Sequence, residues 1–476
     1  MKLTVYRQAV KKRPNGDTVY KGEDALPFAG DHILLVADGL GGASAIRHQN
    51  FKPELFDPDA VTRTLFGELY QDADHPDFDR YVRDSFFELS AVRDIYTENV
   101  NNIKKSGYFG SRIVSSILLH RFLLSEKPFP VEKLFDHVEK LSGAQLEAAL
   151  ASYGESCAML VQDHLRFVGK KAGLTYESAY EGLSLLGTTL TLILYREKED
   201  CVQTILFTAG DSRPYVWTEK DGLCQILPDE EGADGGMTNY IRANEDAFFH
   251  INCHYFTFAK PCILFGASDG CFDSGYFLSP MAFEKLLEES ACASADPEEM
   301  SGRLKEFFLE AGRHDDSSTI AMGMFGYDSF TDLKAAMSRR LRTLQETYLD
   351  KMPDLLEEDF IAQAKEAERK GTLQETPELA AKADLQQKLF DAYEPGYEKY
   401  MPQESPFADA PVPGEMAPSG KQITPFTPPR VTKTSEHALP SGYLTPGRGT
   451  VIFGAGSAGS GSGIVGSPSS KTDEKK

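Results

Sequence analysis

The stretch His32-Ile-Leu-Leu-Val-Ala-Asp-Gly-Leu-Gly-Gly42 decides how this chain is read. Its first six residues, HILLVA, are a short apolar run of the length and composition of a buried strand. The run stops at Asp38, and Gly39, Gly41 and Gly42 then let the backbone turn sharply. The same grammar recurs twice: Cys201–Ala209 (CVQTILFTA) leads into Gly210-Asp211-Ser212-Arg213, and Cys262–Ala267 (CILFGA) leads into Ser268-Asp269-Gly270. Two further acidic islands, Asn15-Gly16-Asp17 and Asp315-Asp316, flank the set. Acidic residues are therefore delivered to strand ends, where each strand leaves the core. Clustered carboxylates are costly to bury without a cation, and carboxylates without interspersed His or Cys favour magnesium or manganese over zinc. The pattern reads as a metal-dependent hydrolase.

Working outward from these islands, beta-rich runs stand before and after a helical middle. Gly110–Leu124 (GSRIVSSILLHRFLL) and Ala144–Phe167 read as helices, which makes the expected class α+β, with helices laid on sheet faces. Residues 43–108, aromatic and acidic, read as an insertion. Residues 1–327 thus form the island-bearing domain. Residues 328–401 become rich in Ala, Leu, Glu, Lys and Gln and read as a helical extension. Within it Leu333, Met337, Leu341, Leu344, Tyr348 and Met352 form an amphipathic stripe ended by Pro353, suited to packing back on the domain or, as the alternative, to dimerisation. Residues 402–476 are rich in Pro, Ser, Thr and Gly and are expected to be disordered.

The chain of 476 residues carries 50 Lys and Arg against 72 Asp and Glu, a net charge of −22. That charge argues against nonspecific binding to nucleic acid or to an anionic membrane surface. The seven Cys form no CxxC pair and suit buried thiols in a reducing compartment. Met1–Arg7 has no signal-peptide core, and Ile113–Leu124 is too short and too polar to span a bilayer, so a cytoplasmic location is expected.

Which acidic residue stands beside Asp38 depends on a hairpin. A strand from Thr18 to Lys21 returning through Ile33–Ala37 brings Asp17 next to Asp38, at the cost of a connection of roughly ten residues. In a rival register Ala25–Phe28 pairs with Ile33–Val36 through a turn at Gly30-Asp31, and Asp24 takes that place. The reading adopted from sequence is Asp17.

In order, the islands resemble the metal-dependent protein phosphatases of the type 2C class, the PPM family. That family shows an acidic motif ending in Asp, a VxDGxGG turn, a GTT strand, a GDSR turn, an SDG turn and a C-terminal Asp pair. Here these are Asn15-Gly16-Asp17, Val36–Gly42, Gly187-Thr188-Thr189, Gly210–Arg213, Ser268-Asp269-Gly270 and Asp315-Asp316, spread over about residues 3–326. The resemblance implies a β-sandwich of two antiparallel sheets flanked by α-helices. It implies two Mg²⁺ or Mn²⁺ held by Asp17, Asp38, the Gly39 carbonyl, Asp269 and Asp315, with a third, weaker metal at Asp211. A register error of one would exchange Asp315 with Asp316. It implies attack on phosphorus by a metal-bridging water, and phosphoserine or phosphothreonine proteins, products of a Ser/Thr kinase, as substrates. Arg13, chosen over Lys12 for its bidentate geometry, would contact phosphate.

Three departures stand out. Gly16 occupies the place where the family usually has Glu or Gln. Leu40 stands where many eukaryotic members have His, and the basic residue is ambiguous. Gly16 in particular leaves open a catalytically weakened binding or regulatory module as the alternative.

Overall fold

The computed structural model describes residues 1–7, 10–12, 18–20, 23–40, 45–46, 104–105, 107–124, 131–171, 186–230, 237–243, 249–272, 277–310, 317–372 and 376–401. Two five-stranded sheets organise them. Sheet I runs in the order β1 (Lys2–Arg7), β14 (Ser318–Phe325), β13 (Cys262–Ala267), β10 (Arg213–Thr218), β11 (Gly222–Gln225). Sheet II runs β12 (Asn252–Ala259), β9 (Cys201–Ala209), β8 (Leu190–Glu197), β5 (Ile33–Val36), β4 (Phe28–Gly30). Every pairing in both sheets is antiparallel.

The apolar runs are continuous because both faces of each sheet are buried. Along β5, Leu34 and Val36 point between the sheets, where they meet Ile193, Leu206, Val216, Leu264 and Ala321. Ile33 and Leu35 point the other way. There, with Leu192, Leu194 and Phe207, they pack under α1 (Gly107–Leu119), α2 (Val131–Val138) and α3 (Ala144–Lys171). The outer face of sheet I is lined by Tyr215, Trp217, Ile263, Phe265, Ile320 and Met322. It is covered by α4 (Pro280–Ala293), α5 (Pro297–Glu310), α6 (Phe330–Thr347), α7 (Phe360–Arg369) and α8 (Pro377–Tyr397). The period-two alternation of a strand thus serves three cores, and the architecture is the expected β-sandwich flanked by helices.

Helix starts follow local capping chemistry. Ser279 accepts the Met281 N–H at 3.1 Å ahead of Pro280, Ser329 accepts from Asp332 N–H at 3.2 Å, and Asp359 accepts from Ala362 N–H at 2.8 Å. Leu333, Met337, Leu344 and Met352 of the predicted stripe are buried in the core under sheet I, although α6 itself ends at Thr347, before the expected stop at Pro353. Short strands β6 (Ala45–Ile46) and β7 (Lys104–Lys105) pair at the two ends of the insertion. Most of the insertion, and all of 402–476, lie outside the described residues. All seven cysteines are free thiols. Among the described residues no helix is long and apolar enough to cross a membrane.

The hairpin expected from sequence is overturned. β3 (Thr18–Tyr20) pairs with β2 (Val10–Lys12), not with β5. The partner of β5 is β4, in the register Phe28↔Leu35, Ala29↔Leu34 and Gly30↔Ile33, closed by the two-residue loop Asp31-His32 with His32 at φ 65°. A short loop closes at a lower entropic cost than a connection of roughly ten residues. Pairing continues past the strand, with Ala25 N–H donating to the Ala37 carbonyl at 2.9 Å. Asp24 therefore stands beside Asp38, while Asp17 lies outside the described residues.

Candidate functional site

The ends of both sheets meet at one edge of the sandwich. β5 runs out at Asp38, which is 7% exposed. The Gly187-Thr188-Thr189 segment clamps its backbone. The Asp38 carbonyl accepts from Thr189 N–H at 2.8 Å and from the Thr188 hydroxyl at 2.6 Å, while Asp38 N–H donates to Thr189 Oγ1 at 3.2 Å. Leu40 N–H then donates to the Gly187 carbonyl at 3.1 Å. Gly39 is required by close approach. A Cβ there would meet the Glu23 carbonyl oxygen at 2.4 Å and that of Gly107 at 2.5 Å, both backbone atoms that cannot move aside.

Thr189 also reaches the next island, its hydroxyl lying 2.7 Å from that of Ser212, while Thr191 donates to the Ser212 carbonyl at 2.6 Å. These contacts set the Gly210–Arg213 turn, in which the chain passes from β9 of sheet II to β10 of sheet I with Gly210 at φ 94°. Asp211, in this turn, is half-buried. On sheet I, Ser268 N–H donates to the Thr319 carbonyl and Thr319 N–H to Ser268 Oγ, both at 3.0 Å, and Ser318 donates to the Gly270 carbonyl at 2.7 Å. Asp269, half-buried, opens the short 3₁₀ turn Asp269–Cys271 between them.

Asp24 ties the two sheets together. It lies wholly buried, and the Thr319 hydroxyl donates to its Oδ2 at 2.5 Å. Burial raises its pKa. Contacts with Asp38, Thr319 and Ser268 oppose that rise, and the nearby Asp269 charge reinforces it. Oδ1 of Asp24 and Oδ1 of Asp269 are buried with no hydrogen-bond partner among the described residues. Buried carboxylate oxygens left in this state, with the Asp269 charge opposing ionisation of Asp24, are what a hard divalent cation would satisfy. The donor set fits magnesium or manganese.

Of the residues expected from sequence, the structure brings Asp38, Gly39 and Asp269 together with Asp24, and ties the Asp211 turn to them through Thr189 and Ser212. Arg13, Asp17, Asp315 and Asp316 lie outside the described residues, and among the described residues no group of three or more His, Cys, Asp or Glu side chains is by itself arranged to hold a metal. Sequence reasoning set aside Asp24 and missed Glu23. The signal was present, since Glu23-Asp24 stands just ahead of the hairpin that leads to Asp38.

Supporting residues without any local sequence signal also emerge. On α1, the Ser111 hydroxyl donates to the Glu23 carbonyl at 2.5 Å, and the fully buried Arg112 donates to the same oxygen at 3.4 Å. Glu230 accepts the Gly210 N–H at 3.2 Å and the side-chain amides of Asn239 and Asn252, and burial pushes its pKa up to about 7. Arg213 pairs with Asp229, its Nε donating at 2.8 and 2.9 Å, and its guanidinium lies 3.7 Å over the ring of Phe272.

No protein-family model matches the chain, and no curated protein matches it. Among solved structures it is similar to the catalytic domain of the serine/threonine protein phosphatase PstP in complex with two manganese ions, at 18% identity and a TM-score of 0.37, covering 68% of this chain and 96% of that one. A structure of the Mycobacterium tuberculosis serine/threonine phosphatase PstP/Ppp gives 17%, 0.37, 69% and 99%. The serine/threonine phosphatase Stp1 from Staphylococcus aureus gives 14%, 0.36, 68% and 95%. At such identities and TM-scores the likeness carries no inference about this chain's chemistry.

Proposed function

We propose that this chain is a metal-dependent Ser/Thr phosphoprotein phosphatase, with Asp24 in the place that sequence gave to Asp17. The observation that carries the reading is the wholly buried Asp24, set against Asp38 and Asp269 at the meeting edge of the two sheets. Asp24, Asp38, the Gly39 carbonyl and Asp269 would hold two Mg²⁺ or Mn²⁺, with Asp315 as a further candidate and Asp211 beside a third, weaker site. Metals bound there would supply an activated water for in-line attack on phosphorus and would neutralise the phosphoryl oxygens.

The chain's own part is positioning. Thr188 and Thr189 fix the Asp38 backbone through three hydrogen bonds, and Thr319 orients Asp24. Preorganised carboxylates spare the site a reorganisation cost when charge develops. Leu40 has no titratable group, so the proton for the leaving alcohol comes from elsewhere than the residue after the DG pair. Phosphoserine and phosphothreonine proteins are the proposed substrates, opposite a Ser/Thr kinase in the cytoplasm. The weakened-module alternative drew on Gly16, and it loses that motive when Asp24, preceded by Glu23, takes the position.

The test is hydrolysis of p-nitrophenyl phosphate and of a phosphothreonine peptide by the full chain after chelation, with and without added Mn²⁺. Turnover that disappears with EDTA and returns with Mn²⁺ is expected. Undiminished turnover after exhaustive chelation, or none under any metal, would sink the proposal.

A further inference from the structure

The Gly210–Arg213 turn is wired to α8 by an unbroken chain of buried and part-buried hydrogen bonds. Tyr397, at the end of α8, donates its hydroxyl to Gln225 Oε1 at 2.7 Å. With its oxygen engaged, the Gln225 amide presents its nitrogen to Asp229 Oδ1 at 2.9 Å and to the Leu227 carbonyl at 2.7 Å. Asp229 in turn grips Arg213, the last residue of the turn that carries Asp211. Tyr215, two residues further along β10, places its hydroxyl 3.3 Å from that of Tyr397. Because Tyr397 spends its proton on Gln225, Tyr215 must be the donor of that pair. The far side of Arg213 stacks on Phe272, directly after the Asp269–Cys271 turn, so one guanidinium braces both islands.

We propose that Tyr397 is a positioning residue for the candidate metal site, acting through Gln225, Asp229 and Arg213 on the Asp211 turn. The helical extension is thereby coupled to the candidate metal site and is not only a cover on sheet I. This rests on the phosphatase reading for its consequence in catalysis, but not for the wiring itself. The network's reach explains why a hydroxyl is used. Phe at 397 would fill the same space, yet it would leave Gln225 Oε1 a buried acceptor without its donor and free the amide to rotate away from Asp229. One helical turn earlier, Tyr393 donates to Glu284, which pairs with Arg340 at 2.7 Å. That contact anchors the same face of α8 to α4, away from the turn, and supplies an internal control.

The experiment compares full-length Tyr397→Phe, Tyr393→Phe, Asp229→Asn and the Tyr397→Phe/Asp229→Asn double variant. Three readouts are taken: Mn²⁺ binding without substrate, followed by the EPR signal of free Mn²⁺; the Mn²⁺ dependence of p-nitrophenyl phosphate turnover; and amide exchange of residues 209–215. Loss of outer partners of metal ligands typically weakens affinity about 10- to 100-fold, and Tyr397 acts from further out, so its variant should raise the Mn²⁺ midpoint roughly three- to tenfold. Turnover at saturating Mn²⁺ should stay within about twofold of wild type, since no ligand is removed. Exchange across 209–215 should quicken. Tyr393→Phe should lower thermal stability while leaving the midpoint in place. In the Asp229→Asn background the Tyr397→Phe effect should vanish, because the path is already cut. An unchanged midpoint in Tyr397→Phe, equal shifts for Tyr393→Phe and Tyr397→Phe, or full additivity with Asp229→Asn would each overturn the proposal. Should the wild-type chain bind no Mn²⁺, the phosphatase reading falls on its own, and exchange of 209–215 decides the wiring: quickened in Tyr397→Phe it stands, unaltered it fails.

Discussion

Replacing Asp24 by Asn should stabilise the metal-free protein while abolishing its response to Mn²⁺. The side chains are nearly isosteric, and Thr319 can still donate to the remaining carbonyl oxygen. What changes is charge. The folded-state pKa of Asp24 is raised by burial, so the folded chain holds a proton that the unfolded chain has released. Stability is therefore lost as pH rises from the ordinary value of 3.8 through the raised one, and the loss is complete above it. Asn carries no such penalty. Each unit by which that pKa is raised is worth about 1.4 kcal/mol, so Asp24→Asn should gain stability at pH 7.5 in EDTA. About 1 kcal/mol moves the melting temperature by roughly 2–4 °C in a domain of about 150–250 residues and by less in a larger one, a shift that scanning fluorimetry resolves.

Metal should reverse the ranking. At a hundredfold excess over its dissociation constant a ligand stabilises the native state by about 2.7 kcal/mol, and wild type should show that gain with Mn²⁺. Asp24→Asn lacks a charged ligand and should show little of it, so the two melting curves should exchange order between EDTA and Mn²⁺. Asp17→Asn should follow wild type in both. An Mn²⁺ shift of wild-type size in Asp24→Asn, or its loss in Asp17→Asn, would refute the assignment. Marked destabilisation of Asp24→Asn in EDTA would show that the hydrogen bonds of Asp24 outweigh its charge.

Two further predictions concern the frame around the site. Glu288 accepts the Trp217 indole N–H at 2.9 Å, and its pKa is pushed up to about 9 by burial and then by Glu284. Between its ordinary value of 4.5 and about 9 the folded chain keeps a proton that the unfolded chain has lost, so stability should fall with rising pH by at most about 1.4 kcal/mol per unit. Glu288→Gln should flatten that slope in urea unfolding at pH 6 and 8.5, and an undiminished slope would place its origin elsewhere. Truncation after Met401 should leave turnover of a small phosphate ester intact. Truncation after Tyr327 strips Leu333, Met337, Leu344, Leu389, Phe390 and Tyr393 from the core under sheet I. At about 1.5–3 kcal/mol for each buried apolar side chain that exceeds a typical net stability, so the product should be insoluble or unfolded by circular dichroism.

The central strands were legible because they are buried on both faces. HILLVA, CVQTILFTA and CILFGA stay apolar throughout when alternate residues enter different cores, as Leu34 and Leu35 do. Their ends were legible for the same reason, and Asp38, Asp211 and Asp269 stand where those runs stop. Asp24 was misjudged because the strand that follows it is only three residues long, Phe28–Gly30, and preceded by Pro27. Its turn, Asp31-His32, puts a histidine at φ 65° instead of the glycine or asparagine by which such turns are recognised. Thr18–Tyr20 had the stronger β-branched and aromatic composition, and it spends that propensity on β2.

Compositional change near residue 328 has a different physical meaning from the one a linear reading suggests. It marks where strands stop, not where the core stops. The outer face of sheet I is wide, and α4 and α5 cover only part of it, so Leu333, Met337, Phe390 and Tyr393 complete the same apolar cluster as Phe265 and Met322. Once a helix is held there for packing, its polar side chains face the interior at fixed positions. A hydroxyl such as that of Tyr397 can then reach Gln225, 172 residues away in the chain. No periodicity or motif encodes such a contact, because neither partner is unusual in its own neighbourhood. It exists only where three separately legible features coincide: a helix end, a strand end and a half-buried carboxylate that needs donors.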